Sequence, residues 1–284
     1  MDVNTISKQL LFTTAKITAH MPGGGISSGT GFIMDIGESG ERIPILITNK
    51  HVVAGAQSLS VRLIGQAQGK PKLGLAHDFP FNPADLPFVG HPDPAIDITS
   101  VPLVPLIRDK ESEVFIAPLH KSLLPSPEEG QLHDALEEVT FVGYPNGWAD
   151  DAHHTPIVRR GITATPMSLR FGGNPVFLVD GSVFGGSSGS PVFLFNKGSY
   201  SDGQNGIIVG TRFQLVGVMA ATMVRHSQLP LAVSTQPHAK LAQEMNLGVA
   251  FNWEAIAETV VELEKFYKIT HPDPTKEEAL AQPE

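Results

Sequence analysis

The apolar residues of this chain fall into short, β-branched runs, each closed off by Gly, Pro, Asn or Asp. Runs of that length between turn residues read as strands rather than helices. The first half carries them at 10–18, 30–36, 43–49, 59–63 and 97–103; the second at 139–144, 156–164, 175–180, 190–195, 206–221 and 247–251. In LSVRL, Leu59, Val61 and Leu63 alternate with polar residues, so one face is expected to be buried and the other wet. Two groups of strands separated by turn signals imply an all-β protein of two consecutive barrels or sandwiches.

Composition agrees with that reading and removes several others. The chain has 284 residues, and at ~150 per domain this gives about two globular units. With 41% hydrophobic residues it can fill a real core, and 28 Gly with 23 Pro supply the turns. It has no cysteine, which excludes a disulfide-stapled scaffold, a thiol nucleophile, a Cys-based zinc site and an iron–sulfur cluster. A net charge of −9 argues against binding to nucleic acid or an anionic membrane surface. The start of the chain lacks the apolar stretch of a secretory signal, and no run approaches a membrane span. The location expected from these features is the cytoplasm.

Two stretches break the strand pattern. Residues 65–93 are expected to be long surface loops, and 104–138 a connector between the halves. Near the end the period changes: Trp253, Ile256, Val260, Leu263 and Tyr267 recur at helical spacing, with Asn252 as N-cap and Glu254 in the first turn. This predicts a terminal helix over 252–269 that packs on the second barrel, followed by a flexible tail at 270–284.

Chemistry concentrates in FGGSSGSPVF, residues 184–193. A nucleophilic serine needs a tight turn with little side-chain bulk, so that its Oγ projects and backbone N–H groups converge on a developing oxyanion. Gly186 and Gly189 supply such backbone on either side of Ser188. His51 in ILITNKHVV is the candidate base, and Asp97 in HPDPAIDITSVPL the candidate orienting acid. Taken singly, each has an ordinary structural reading; the ordered trio is what points to catalysis. Asp93 is the rival acid, but it precedes Pro94 and no apolar strand follows it.

The sequence resembles the trypsin-like serine proteases of the chymotrypsin fold, and most closely the cysteine-free bacterial Deg/HtrA-like members. GTGFIM (29–34) is similar to the family's GSGF strand, TNKHVV (48–53) to its histidine segment and AIDITSVPL (95–103) to its aspartate strand. FVGYPNG (141–147), RRGITA (159–164), GSSGSP (186–191), LVGVMAAT (215–222) and LGVAFNWEAI (247–256) continue the match in order. The resemblance implies two consecutive six-stranded antiparallel β-barrels with a C-terminal α-helix. The first, 1–120, would carry His51 and Asp97, and the second, 121–251, would carry Ser188, the whole forming one catalytic domain.

It also implies roles. Ser188 would be the nucleophile and His51 the general base and later acid. Asp97 would orient the imidazole, and the N–H groups of Gly186 and Ser188 would form the oxyanion hole. The primary pocket would be lined near Ser182, by Ala220, Ala221 and Thr222, and near Gly248, with Asp180 outside its floor. Lacking a charge there and narrowed by Thr222, it would favour Ala, Val or Leu. No cofactor and no metal is expected. Asp150, Asp151, His153 and His154 in the loop 146–155 are read as exposed polar residues rather than ligands. The expected partner is a protein or peptide substrate, with an activating protein as a further expectation. Ser187 stands where digestive relatives carry an aspartate that pairs with a freshly cleaved N-terminus, so that activation route is missing.

Two other function classes compete. An α/β-hydrolase esterase would need G-x-S-x-G around the nucleophile and the chain order Ser, acid, His; around Ser188 the run Gly186-Ser187-Ser188-Gly189-Ser190 lacks the final glycine, and His51 and Asp97 precede the serine. A catalytically silent protease fold serving as a binding or scaffold module is the more serious alternative.

Overall fold

In the computed structural model Ile45, Leu46 and Ile47 are all fully buried, within a strand that alternation alone would leave half wet. Leu46 faces the core inside the first half, among Ile17, Ile33, Val61 and Val101. Ile45 and Ile47 face a second core between the two halves, shared with Phe193, Leu215 and Val218. A continuous apolar run is what a strand covered on both faces requires. The described residues are 1–38, 41–108, 110–203, 206–226 and 242–269; the tail expected at 270–284 lies outside them.

The first sheet comprises β1 Thr14–His20, β2 Ile26–Asp35, β3 Pro44–Thr48, β4 Ser58–Ala67, β5 Lys70–Phe81, β6 Val89–Gly90, β7 Thr99–Pro102 and β8 Leu119–His120. Its order is β5-β4-β1-β2-β3-β7-β6, with β8 added parallel to β2. The second half holds β9 Glu138–Gly143, β10 Ile157–Thr163, β11 Val176–Asp180, β12 Pro191–Ser201, β13 Ile207–His226 and β14 Ala242–Asn252. These close a six-stranded barrel in the order β10-β11-β14-β13-β12-β9. Short helices α1 Ile6–Gln9, α2 Lys50–Val53, α3 Val104–Ile107 and α4 Pro127–Gln131 join them, and α5 Trp253–Tyr267 ends the described chain. The architecture is the mostly-β, chymotrypsin-like type with a C-terminal helix.

Several local expectations need correction. The first sheet has eight strands rather than six, and two of them, β6 and β8, span only two residues. Residues 65–93 are not all loop: they contain β5, paired along β4. As an edge strand β5 is largely half-buried or exposed, so it shows no apolar alternation, and an edge tolerates Pro71 and Pro80. The connector 104–138 contains α3, β8 and α4, the last with a capping box between Ser126 and Glu129. Leu10–Phe12 form a 3-10 turn, and β1 starts only at Thr14.

Helix α5 begins at Asn252 as the sequence predicts, the Asn252 side chain accepting from the Ala255 N–H at 3.3 Å. Its apolar face is not confined to the second barrel. Ala255, Ile256, Val260 and Leu263 pack with Ile96 and Ile98 from the first half as well as with Val218 and Phe251 from the second. Tyr267 Oη donates to the Pro87 carbonyl at 2.8 Å, and His91 Nε2 donates to Glu258 at 2.7 Å. The helix therefore clamps both halves, because its stripe meets the groove where they join.

Candidate active site

His51 sits in α2, the single turn that follows β3. Its backbone N–H donates to Asp97 Oδ1 at 3.0 Å, and its Nδ1 is hydrogen-bonded to Asp97 Oδ2. The Asn49 side chain donates to the Asp97 carbonyl at 2.6 Å, which ties the start of α2 to the start of β7. With Nδ1 engaged by a carboxylate, Nε2 is the ring nitrogen left to exchange a proton.

Asp93 has a different job. Its Oδ1 accepts the Ala95 N–H at 2.9 Å and its own N–H donates to His91 Nδ1 at 3.0 Å. It shapes the turn before Asp97 and does not reach His51. Lys50 Nζ donates to the carbonyls of His91 and Asp93 at 3.0 and 3.1 Å, and burial lowers the pKa of this lysine below its ordinary value. The turn carrying Asp97 is thus tied down from the segment carrying His51.

Ser188 lies on the turn between β11 and β12. Gly186 (φ +78°) and Gly189 (φ +85°) adopt left-handed backbone there. A Cβ on Gly189 would lie 1.8 Å from the Thr30 carbonyl, so only glycine fits. Thr30, fully buried on β2, holds the turn from the first half. Its N–H donates to the Ser188 carbonyl at 2.9 Å, and its Oγ1 donates to the Gly186 carbonyl at 2.9 Å. Sequence reading passed over Thr30, because a threonine beside a glycine in a strand carries no signal of a partner so far along the chain.

The orientation of the turn's peptides follows from one contact. The Gly185 carbonyl accepts from the Asn146 N–H at 2.5 Å. In a planar trans peptide the N–H points opposite to the C=O, so the Gly186 N–H faces away from the 145–147 turn. Among the described residues neither it nor the Ser188 N–H has a protein acceptor, whereas those of Ser187, Gly189 and Ser190 do. Ser188 Oγ donates to the Ala220 carbonyl at 2.9 Å rather than to His51.

His51, Asp97 and Ser188 all line one open cleft of about 530 Å³. Residues 29–199, more than half of the chain, match the family described as the trypsin-like peptidase domain. The chain belongs to the trypsin-like peptidases. Comparison with curated proteins finds no match. Among solved structures, the Rv3671c protease from M. tuberculosis in its active form is 17% identical with a TM-score of 0.48, over 92% of this chain and 84% of that one. An HtrA-type protease, AlgW, with a tripeptide is 15% identical with a TM-score of 0.51, over 93% of this chain and 64% of that one. Deg5 is 17% identical with a TM-score of 0.45, over 76% and 82%. At such identities the likeness to AlgW concerns the fold alone.

In this trypsin-like peptidase the rest of the cleft is apolar. Val183, Phe184, Val249 and Phe251 line it together with Ala220, Ala221 and Thr222. Of the residues expected to form the pocket, the last three are there and two are not. Ser182 is not among the lining residues, and its carbonyl accepts from Arg159 Nη1 at 2.7 Å. Gly248 sits behind the wall, where an added Cβ would meet Val183 Cγ2 at 2.6 Å and Met219 Sδ at 2.9 Å. Val183 thus occupies the place expected for Ser182, one residue along a turn whose period the sequence does not define. Among the described residues no group of His, Asp and Glu is arranged to hold a metal ion, and no helix is long and apolar enough to cross a membrane.

Proposed function

We propose that this trypsin-like peptidase is a serine endopeptidase in which Ser188 is the nucleophile, His51 the base and Asp97 the orienting acid. The observation that carries the reading is the His51–Asp97 pair in a cleft that Ser188 also lines, on a turn where the N–H groups of Gly186 and Ser188 have no acceptor among the described residues. Ser188 Oγ leaves Ala220, attacks a peptide carbonyl and passes its proton to His51 Nε2. The N–H groups of Gly186 and Ser188 take the oxyanion, and the leaving amine takes the proton from His51. Water, deprotonated by His51, then releases the acyl group. All of these steps use side chains and backbone of this chain alone. Residues 1–120 and 121–251 act as the two halves of one catalytic unit.

The substrate is a peptide or protein chain with an aliphatic residue, Ala, Val or Leu, at the cleavage position. The cleft walls favour this, because Val183, Ala220, Ala221, Val249 and Phe251 offer no counter-ion to a basic side chain. Partner-dependent activation is the second reading. Ser188 Oγ rests on the Ala220 carbonyl rather than on His51, and a partner would act by favouring the rotamer that reaches His51.

The test is covalent labelling with a fluorophosphonate probe, followed by cleavage profiling on a mixed peptide library. Labelling that disappears in Ser188→Ala, with cuts after small aliphatic residues, supports the enzyme. Folded protein that does not label under any activating condition tested supports a binding module instead. Strong turnover by the isolated chain removes the need for an activator.

A further inference from the structure

Arg159 lies on β10, yet its guanidinium turns into the back of the turn that carries Ser188. Nη1 donates to the Ser182 carbonyl at 2.7 Å and Nη2 donates to Ser187 Oγ at 2.8 Å. Ser187 is fully buried, and its Oγ also accepts from the Phe184 N–H at 3.3 Å. One planar fork therefore bridges the residue that opens the turn and the residue beside Ser188. The guanidinium also sits over the Phe141 ring, 4.7 Å from its centroid, which fixes the plane of the fork.

The cation has little else to gain there. Among the described residues no carboxylate pairs with it, and its Nε is buried without an acceptor. Burial pushes its pKa down to about 10. Holding a charge in such a place without a counter-ion is costly, and the return is two hydrogen bonds to neutral acceptors in fixed geometry. Lysine has no planar fork and would not make both bonds in that way. The turn it spans contains Gly185 and Gly186, the backbone most prone to peptide rotation. Thr30 holds that turn from the first half, through the carbonyls of Gly186 and Ser188, and the Asn146 N–H holds the Gly185 carbonyl at 2.5 Å.

We propose that Arg159 is a positioning residue, whose fork on Ser182 and Ser187 keeps the turn in the one conformation that leaves the N–H groups of Gly186 and Ser188 directed to the cleft. Without the fork the flanks of the turn at Ser182 and Ser187 are released, and the 185–186 peptide is left to the Asn146 contact alone; its rotation would put a carbonyl where the oxyanion forms. This role rests on Ser188 being the nucleophile.

The experiment compares wild type with Arg159→Met, which keeps an unbranched apolar side chain but removes the guanidinium, and with Arg159→Lys. Two quantities are read: the maximal rate of fluorophosphonate acylation, separated from the probe's apparent affinity, and hydrogen exchange of peptides covering 181–190. Arg159→Met is expected to slow acylation at least tenfold with the probe's affinity within about twofold. Exchange should quicken at the Phe184 and Ser187 amides while β9 and β12 keep their protection. Arg159→Lys is expected to recover only part of the rate. Ser187→Ala removes one arm of the fork and should slow acylation several-fold, so the role stays testable if Arg159→Met does not fold. Wild-type acylation and exchange in Arg159→Met overturn the proposal. So does an exchange increase spread evenly over all strands, which marks a purely structural residue. If the wild-type chain itself never labels, the peptidase reading fails, and the exchange pattern alone decides whether Arg159 anchors the turn.

Discussion

Thr30 Oγ1 on β2 donates to the carbonyl of Gly186 at 2.9 Å, while accepting from the Tyr144 N–H at 3.0 Å. A single buried hydroxyl of the first half thus sets the turn that carries Ser188 in the second. Its own carbonyl accepts from Thr48 Oγ1 at 2.7 Å, one residue before the segment that leads to His51. The two candidate catalytic segments are coupled through the backbone and side chain of one threonine.

Thr30→Val keeps the shape and deletes both hydroxyl contacts. The Gly186 carbonyl and the Tyr144 N–H lose their partner in a buried place, at a cost of about 1–3 kcal/mol. Urea unfolding should show that loss, and fluorophosphonate labelling of Ser188 should slow, because the turn is freed on the Thr30 side. Unchanged labelling at reduced stability would make Thr30 a purely structural residue.

Gly189→Ala should abolish labelling and cost several times more stability than Gly172→Ala. Both residues have positive φ, but only at Gly189 does an added Cβ strike backbone, 1.8 Å from the Thr30 carbonyl; at Gly172 nothing lies within 4 Å. The control should therefore show only the backbone strain of about 1–2 kcal/mol expected for an L-residue there. Thermal unfolding of the two variants separates clash from strain.

His91 joins α5 to the loop before Asp97. Its Nδ1 accepts from the Asp93 N–H and its Nε2 donates to Glu258, with the imidazole almost wholly buried. His91→Ala leaves the Asp93 N–H without its partner and empties the site, and is expected to cost about 1–3 kcal/mol. Glu258→Gln should cost under about 1 kcal/mol, since that carboxylate is largely exposed. Comparable losses in the two variants, measured by denaturant midpoint, would show that the burial of His91 is not what matters.

His133 makes acid stability testable. Its Nε2 donates to Gln214 Oε1 at 3.0 Å, and its Nδ1 is buried with no partner among the described residues. Burial holds its pKa below the ordinary value of 6.5, against the opposing bond to Gln214. The unfolded chain therefore takes up this proton first. Stability from the neutral ring is intact above about pH 6.5 and is lost as the pH falls from there toward the lower folded value. His133→Gln should flatten that part of the slope when unfolding is compared at pH 7.5 and about 5.5. An identical slope in both proteins would assign the acid sensitivity to other groups.

Much of the fold was legible because strand and helix periodicity are local properties. β3, β4, β9 and β11 announced themselves by β-branched runs between turn residues, and α5 by a helical stripe with an Asn cap. β5 stayed hidden because an edge strand with two half-wet faces needs no alternation. The reach of α5 onto Ile96 and Ile98 was likewise invisible, since a stripe of apolar residues does not state which surface it covers. For the site, His51, Asp97 and Ser188 could be picked out by the residue types around them.

The sequence by itself determined the all-β architecture, the trypsin-like resemblance and the three segments that carry candidate chemistry. Tertiary structure alone showed that Asp97, the acid the sequence favours, holds both the N–H and the Nδ1 of His51, and that Val183 rather than Ser182 lines the cleft. It alone brought Thr30 and Arg159 to the turn carrying Ser188. The physical reason is the range of the interactions. Periodicity and turn chemistry are set by near neighbours along the chain. A hydrogen bond from residue 30 to residue 186 exists only after two sheets have packed, and nothing in the local pattern of either segment records the other.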